Sequence, residues 1–252
     1  MSSLNNDWLN LLDNVEIILV EPSHLGNVGS AARAMRTMGL KNLGVVTNKD
    51  IKTPEAIALS KGGEQILNHA QIYQDIDEAL ANKNFVIATS ARERSIELPI
   101  YQPREAMNLV INQLNNQEKV AFLFGRERTG LTNQELQKAD IHVNIDANPE
   151  YSSLNLAMSV QVLSYELRQA LLRFDNHEIN HEAASELKPT HDQIENLYLF
   201  LENSLKECGF LKEGHNGKVM GQLRRIFAKA DLSNHELQII YGVMNNLLKY
   251  KG

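Results

Sequence analysis

Six short runs rich in apolar residues, separated by loops and helical patterns, restrict the fold of this chain more than any other feature. Val15–Val20 (VEIILV), Asn42–Thr47, Ala70–Tyr73, Phe85–Thr89, Val120–Phe124 and Ile141–Ile145 have the length and composition of buried strands. Between them the spacing predicts a helix from about Val28 to Met38, ended by Gly39. Further helices are expected from Pro54, from the cap Asp75, and from Pro103 to about Gln117, with a short one boxed by Thr132 and Glu135. Strands that alternate with helices in this way specify an α/β fold with a mainly parallel sheet.

Such sheets place ligands beyond the C-terminal ends of their strands. Three loops that leave strands carry unusual chemistry: SHLGNVGSAARAM, FGRERTGLT and NPEYSSLNLA. The last opens a long helix with two apolar stripes. Leu156, Val160, Leu163, Leu167 and Leu171 form one, and Met158, Val162 and Tyr165 the other. The first stripe suits the domain core. The second suits either a larger core or a neighbouring subunit.

The segment Asp175–Glu186 has four acids and neither Lys nor Arg, and reads as a solvated linker. We therefore divide the chain into a domain at 1–174, an acidic linker at 175–189 and a helical extension at 190–252. The extension carries three amphipathic patterns. One is boxed by Thr190 and Gln193 and has Ile194, Leu197, Tyr198, Leu201, Leu205 and Cys208 on one face, which makes Cys208 a small core residue. The second runs near Lys218–Ala230, and the third is boxed by Ser233 and Glu236.

A formal charge of −6 excludes a generic nucleic-acid coat, but the basic residues are concentrated. From Lys188 onward nine Lys and Arg face seven Asp and Glu, a balance of +2 that leaves −8 for the first 187 residues. Lys218, Gln222, Arg225 and Lys229 share one stripe of the second C-terminal helix, with Arg224 beside it. Alone, such a stripe reads first as a solvated face. A single cysteine, no apolar run of bilayer length and no leader pattern at MSSLNNDWLNLLDN indicate a cytoplasmic protein without a membrane partner. The histidines show no metal-ligand spacing, so no metal is expected, and His24 stands alone in its loop.

GNVGS between a strand and a helix has the geometry of an anion site at a helix N-terminus. Tight strand–helix packing is the more common reason for such glycines, and no nucleotide-binding fingerprint accompanies them. In FGRERTGLT two arginines flank Glu127 between glycines, a pattern that fits a site or a salt-bridged turn.

Taken together, GNVGSAARAM, FGRERTGL and NPEYSSLNLA resemble the three successive motifs of the SPOUT-superfamily tRNA and rRNA ribose 2′-O-methyltransferases. The match spans roughly Val15 to Leu172. The third motif and the C-terminal GHNGKVMGQLRRIF resemble in particular the bacterial branch that methylates C or U at nucleotide 32 of tRNA anticodon loops. The resemblance implies a SPOUT-type sheet with a C-terminal trefoil knot, a homodimer, and S-adenosylmethionine as methyl donor. It also implies cofactor contacts at Thr89, Ser90, Ala91, Gly125, Ile145, Ser152, Ser153 and Leu154. Asn27, Arg33, Glu127, Ser153 and Asn155 occupy the family's catalytic positions. Because a guanidinium holds its proton at neutral pH, Arg33 suits gripping a phosphate better than acting as base. In an RNA enzyme the basic stripe becomes a tRNA contact through Lys218, Arg224, Arg225 and Lys229. The alternatives are an rRNA methyltransferase, or a non-catalytic RNA-binding protein on the same fold.

Overall fold

The computed structural model describes residues 8–89, 99–175, 187–211 and 216–249. In chain order these form α1 (Trp8–Leu11), β1 (Val15–Val20), α2 (Leu25–Met38), β2 (Asn42–Val46), α3 (Pro54–Leu59), α4 (Glu64–Asn68), β3 (Gln71–Tyr73) and α5 (Ile76–Leu80). There follow β4 (Phe85–Thr89), β5 (Ile100–Tyr101), α6 (Pro103–Asn115), β6 (Val120–Phe124), α7 (Asn133–Leu136), β7 (Ile141–Val143) and α8 (Leu156–Asp175). Last come α9 (His191–Glu207), α10 (Asn216–Ala230) and α11 (Asn234–Lys249). The chain divides into two compact units, residues 1–182 and 183–252.

VEIILV becomes a central strand because both of its faces are covered. Val15, Ile17 and Leu19 join a core with residues of α2, α6 and α8, while Ile18 and Val20 join a second core with α5 and α7. A strand buried on both sides is an apolar run rather than an alternation. Among the described residues the sheet has seven strands in the order β3-β2-β1-β6-β4-β7-β5, every pairing parallel. Val15 pairs with Val120, and Phe85 pairs with the same residue from the other side. The late strands β6 and β7 thus sit between earlier ones, bringing the C-terminal ends of β1, β6, β4 and β7 side by side.

The expected caps form. Asp75 accepts from the Glu78 amide, and Thr132 and Glu135 exchange hydrogen bonds as a box. Gly39 ends α2 with φ of +92°. Arg168 of α8 donates to the Met38 carbonyl at 3.1 Å and lies over the Trp8 ring, placing a cation at the negative end of α2. Within α8 the first stripe is buried, whereas Met158 and Tyr165 of the second are 61% and 47% exposed.

One strand carries a charge inward. The Glu16 carboxylate accepts from the Lys83 ammonium and from the Tyr73 hydroxyl at 2.9 Å, with the Lys83 and Glu16 side chains only 6% and 9% exposed. Burial first, and Glu16 beside it second, push the Tyr73 phenol pKa up, so it stays a donor.

Several expectations need correction. Helix α2 starts three residues before Val28, β7 stops two residues before Ile145, and α1, α4 and β5 are additional elements. Cys208 is exposed at the end of α9 rather than in a core. The helix stops at Glu207 and leaves Cys208 as its C-cap, outside the core in which Leu197 and Leu201 pack with Leu211, Met220 and Leu237.

In the second unit, Thr190 with Gln193 and Ser233 with Glu236 form reciprocal boxes. The Arg224 guanidinium is committed within this bundle, to both oxygens of Glu195 and over the face of Tyr198 at 4.3 Å. Gln222, Arg225 and Lys229 are exposed along α10, while the Lys218 side chain lies outside the described residues.

Candidate active site

The three loops meet. Glu127, in the turn after β6, accepts from the Ser23 amide at 2.7 Å, the His24 amide at 3.2 Å and the Asn27 side-chain amide at 2.8 Å. The Asn27 side-chain oxygen accepts in turn from the Asn155 side-chain amide at 2.9 Å, and the Asn155 side-chain oxygen takes the Ala157 amide at the start of α8. Each amide orientation is thereby fixed by its neighbour: the carboxylate demands the Asn27 NH2, and the α8 amide demands the Asn155 oxygen. Both asparagines keep a second N–H uncommitted among the described residues.

The N-terminus of α2 therefore holds an anion, and that anion is the chain's own Glu127. Neither Gly26 nor Gly29 is among its donors, which are Ser23, His24 and Asn27. A Cβ on Gly29 would come within 1.9 Å of the Ala56 carbonyl oxygen, so this glycine exists to let α3 lie against α2. Burial pushes the Glu127 carboxyl up, but the Asn27, Ser23 and His24 donors outweigh it and hold its pKa at about 2. A carboxylate that acidic is a weak base near neutrality. Its chemistry is to position Asn27 and the 23–24 turn.

Arg126, its neighbour, has the salt-bridge role. It pairs with Glu21 at the end of β1 at 2.8 Å, and bidentately with Glu135 at 3.0 and 3.1 Å. Glu135 is also the box residue of α7, so one guanidinium ties the turn to a strand and a helix. The turn closes through the Gly130 amide to the Arg126 carbonyl at 2.8 Å.

Beside this network lies a cavity of about 340 Å³. Phe124, Val143 and Leu156 form a buried apolar floor. Of the expected residues, Thr89, Gly125, Glu127, Ile145, Ser152, Ser153 and Leu154 line it. Ser90 and Ala91 lie outside the described residues. Thr89 donates its hydroxyl to the Leu123 carbonyl at 3.1 Å, while Ser152 and Ser153 are exposed and carry no hydrogen bond among the described residues. Asn27 and Asn155 do not themselves line the cavity, although their partner Glu127 does, and neither does Arg33. It is exposed on α2, about 9 Å along the helix and about 120° around it from Asn27. Glu150, Tyr151, Arg128 and Thr129 also line the cavity, beyond the residues expected there. An aromatic residue inside the polar loop NPEYSS was the available signal for Tyr151.

Size, apolar floor and polar rim suit a small organic ligand, and the two amide N–H groups suit an oxygen beside it. Known proteins resemble the chain over most of its length. Residues 14–165 match the SpoU rRNA methylase family, and residues 192–251 match the C-terminal domain of the tRNA methyltransferase TrmJ. The chain is 46% identical over 238 residues to the tRNA (cytidine/uridine-2′-O-)-methyltransferase TrmJ of Citrobacter koseri, covering 94% of this chain and 97% of that one. Among solved structures it resembles a probable methylase family protein from Haemophilus influenzae Rd KW20, with 42% identity and a TM-score of 0.64 over 95% of this chain and 97% of that one. It also resembles TrmJ from Z. mobilis ZM4, with 29% identity and a TM-score of 0.78 over 92% of this chain and 98% of that one.

Proposed function

The chain belongs to the SpoU rRNA methylase family, and from that membership we propose that it is a tRNA ribose 2′-O-methyltransferase acting on C or U, its target nucleotide 32 of the anticodon loop. The observation that carries this reading is the Glu127–Asn27–Asn155 chain of hydrogen bonds, which joins the three motif loops at the edge of one cavity. The match of residues 192–251 favours tRNA over rRNA as substrate.

S-adenosylmethionine, when bound, supplies a methyl group on a cationic sulfur that departs as a neutral thioether. Thr89, Gly125, Ile145, Ser152, Ser153 and Leu154 would hold it against the apolar floor. The remaining N–H groups of Asn27 and Asn155 orient the ribose oxygen, and Glu127 fixes both through Asn27. Arg33, standing outside the cavity, is left to grip the phosphate beside the reacting ribose. The exposed second stripe of α8 supports a homodimer, and the insertion of β6 and β7 between earlier strands is in keeping with a knot. We place the enzyme in the cytoplasm with its tRNA.

The test is mass mapping of tRNA after incubation with the protein and labelled cofactor. A single 2′-O-methyl group on C or U at nucleotide 32 is expected. Label appearing in rRNA transcripts and not in tRNA would overturn the reading.

Two further results are expected. In Glu127→Gln, the end of the side chain that becomes a donor faces either the donating Ser23 amide or the donating His24 and Asn27 amides. The rate of the chemical step should fall about 100-fold, the scale of small misplacement. With its folded pKa at about 2, below the ordinary carboxylate value, the stabilising effect of ionised Glu127 is present above that value and lost only as pH falls towards 2. The pH–rate profile near neutrality should therefore keep its shape. An inflection near pH 7 that disappears in Glu127→Gln would instead make this residue a base.

Reversing charge at Arg225 and Lys229 should weaken tRNA binding at least tenfold. It should also flatten the slope of log K against log salt by roughly 0.9 for each phosphate that is no longer neutralised. Unchanged affinity and slope in filter binding would remove α10 from the RNA interface.

A further inference from the structure

Tyr151 is 79% exposed, more than any other large apolar residue described in the first unit, and it stands at the rim of the cavity. It is held there by design of the loop. The Tyr151 amide donates to the Asn148 carbonyl at 2.9 Å, closing a turn with Pro149 in its second position. The Asn148 side chain accepts from the Glu150 amide at 3.1 Å and tightens the same turn. Behind the turn lies the buried strand β7, and ahead of it Asn155 starts α8. A ring presented on so fixed a turn, outside both cores of its unit, has a surface available to a ligand.

We infer that Tyr151 is a stacking platform for an RNA base next to the ribose that enters the cavity. The inference rests on the tRNA reading above. A ribose oxygen held by Asn27 and Asn155 leaves its base, or the adjoining one, outside the cavity and over the rim. Bases of a single-stranded loop are unstacked from a duplex and recognised on aromatic side chains. Charge around the cavity is mixed, with Glu127 and Glu150 against Arg126 and Arg128, so it is the exposed neutral ring itself, and not the surrounding charge, that points to a base. The cofactor-sized floor of Phe124, Val143 and Leu156 lies deeper and is buried, so the ring is not needed to wall it.

The experiment compares Tyr151→Ala and Tyr151→Phe with the unaltered protein. It measures kcat/KM for tRNA, calorimetric binding of S-adenosylmethionine, and sedimentation. Tyr151→Ala should lose about 5- to 100-fold in kcat/KM for tRNA, the size of one base stack. Cofactor affinity and oligomeric state should not change, and Tyr151→Phe, which keeps the ring, should stay near the unaltered protein. Four results overturn the inference: full activity of Tyr151→Ala, equal loss in both variants, weaker cofactor binding that accounts for the loss, or a change in sedimentation showing that the ring packs on a second copy. An unaltered protein that binds the cofactor yet methylates no tRNA removes the underlying reading as well. An active unaltered protein with a fully active Tyr151→Ala removes the stacking alone.

Discussion

Lys83→Met is expected to destabilise the first unit by about 3–5 kcal/mol, the usual cost of removing one partner from a buried ion pair. Methionine keeps much of the length and volume of lysine, so a cavity is not the cause. The cause is Glu16, whose carboxylate stays in a site where the Lys83 and Glu16 side chains are 6% and 9% exposed. Tyr73 still donates to it, but a single phenol hydroxyl does not neutralise a charge. Urea unfolding should show a lower midpoint with an unchanged slope. The double variant Glu16→Leu/Lys83→Met removes both charges and should regain most of the loss, because apolar replacement of a buried pair is often neutral or better. A double variant as unstable as Lys83→Met alone would show that packing, not charge, sets the effect. The pair lies at the N-terminal ends of the strands, opposite the site, so cofactor binding by the folded fraction of either variant should be unaffected.

That pair is invisible in the sequence. A glutamate inside VEIILV gives no hint of a lysine 67 residues later or of a tyrosine 57 residues later. The central strands are legible because burial on both faces makes them apolar runs, and the caps because side chain and amide lie three residues apart. Strand order is not legible, since the placement of β6 between β1 and β4 depends on long-range pairing. Elements of four or five residues, such as α1 and α4, are too short to show a period. Within GRERTG the sequence presents Arg126 and Glu127 as equals. Only their partners separate them: Arg126 meets carboxylates at 21 and 135, and Glu127 meets backbone amides at 23 and 24. Arg224 and Arg225 are a similar case, adjacent in sequence, with one fixed inside the bundle by Glu195 and the other exposed. The first-motif glycines stay ambiguous in the sequence because packing and an anion site ask for the same residue, and Gly29 proves to serve packing.

Gly125→Ala is expected to abolish most of the activity while leaving the fold in place. The backbone at Gly125 has no positive φ, so alanine is conformationally acceptable there. The obstacle is steric: a Cβ would stand 2.2 Å from both the Gly130 carbonyl carbon and the Leu131 amide nitrogen. Backbone on both sides must shift, and the segment between, 126–130, carries Glu127. Moving that carboxylate loosens its hold on Asn27 and, through Asn27, on Asn155. A misplacement of about 1 Å at a reacting centre costs on the order of 100-fold in rate. Affinity for S-adenosylmethionine should fall at least tenfold, because the overlap at Gly125 displaces the cavity wall that Gly125 and Gly130 both form. Gly130→Ala is the instructive contrast. Nothing lies within 4 Å of its Cβ position, but its φ is +67°, so alanine adds strain without overlap. That strain is of order 1–3 kcal/mol and acts on stability. Calorimetry, single-turnover methyl transfer and thermal melts on both variants separate the two glycines. Gly125 should govern binding and rate, and Gly130 the melting temperature. If Gly125→Ala retained unaltered affinity and rate, the close approach of the 125 and 130–131 backbones would not be what sets the position of Glu127.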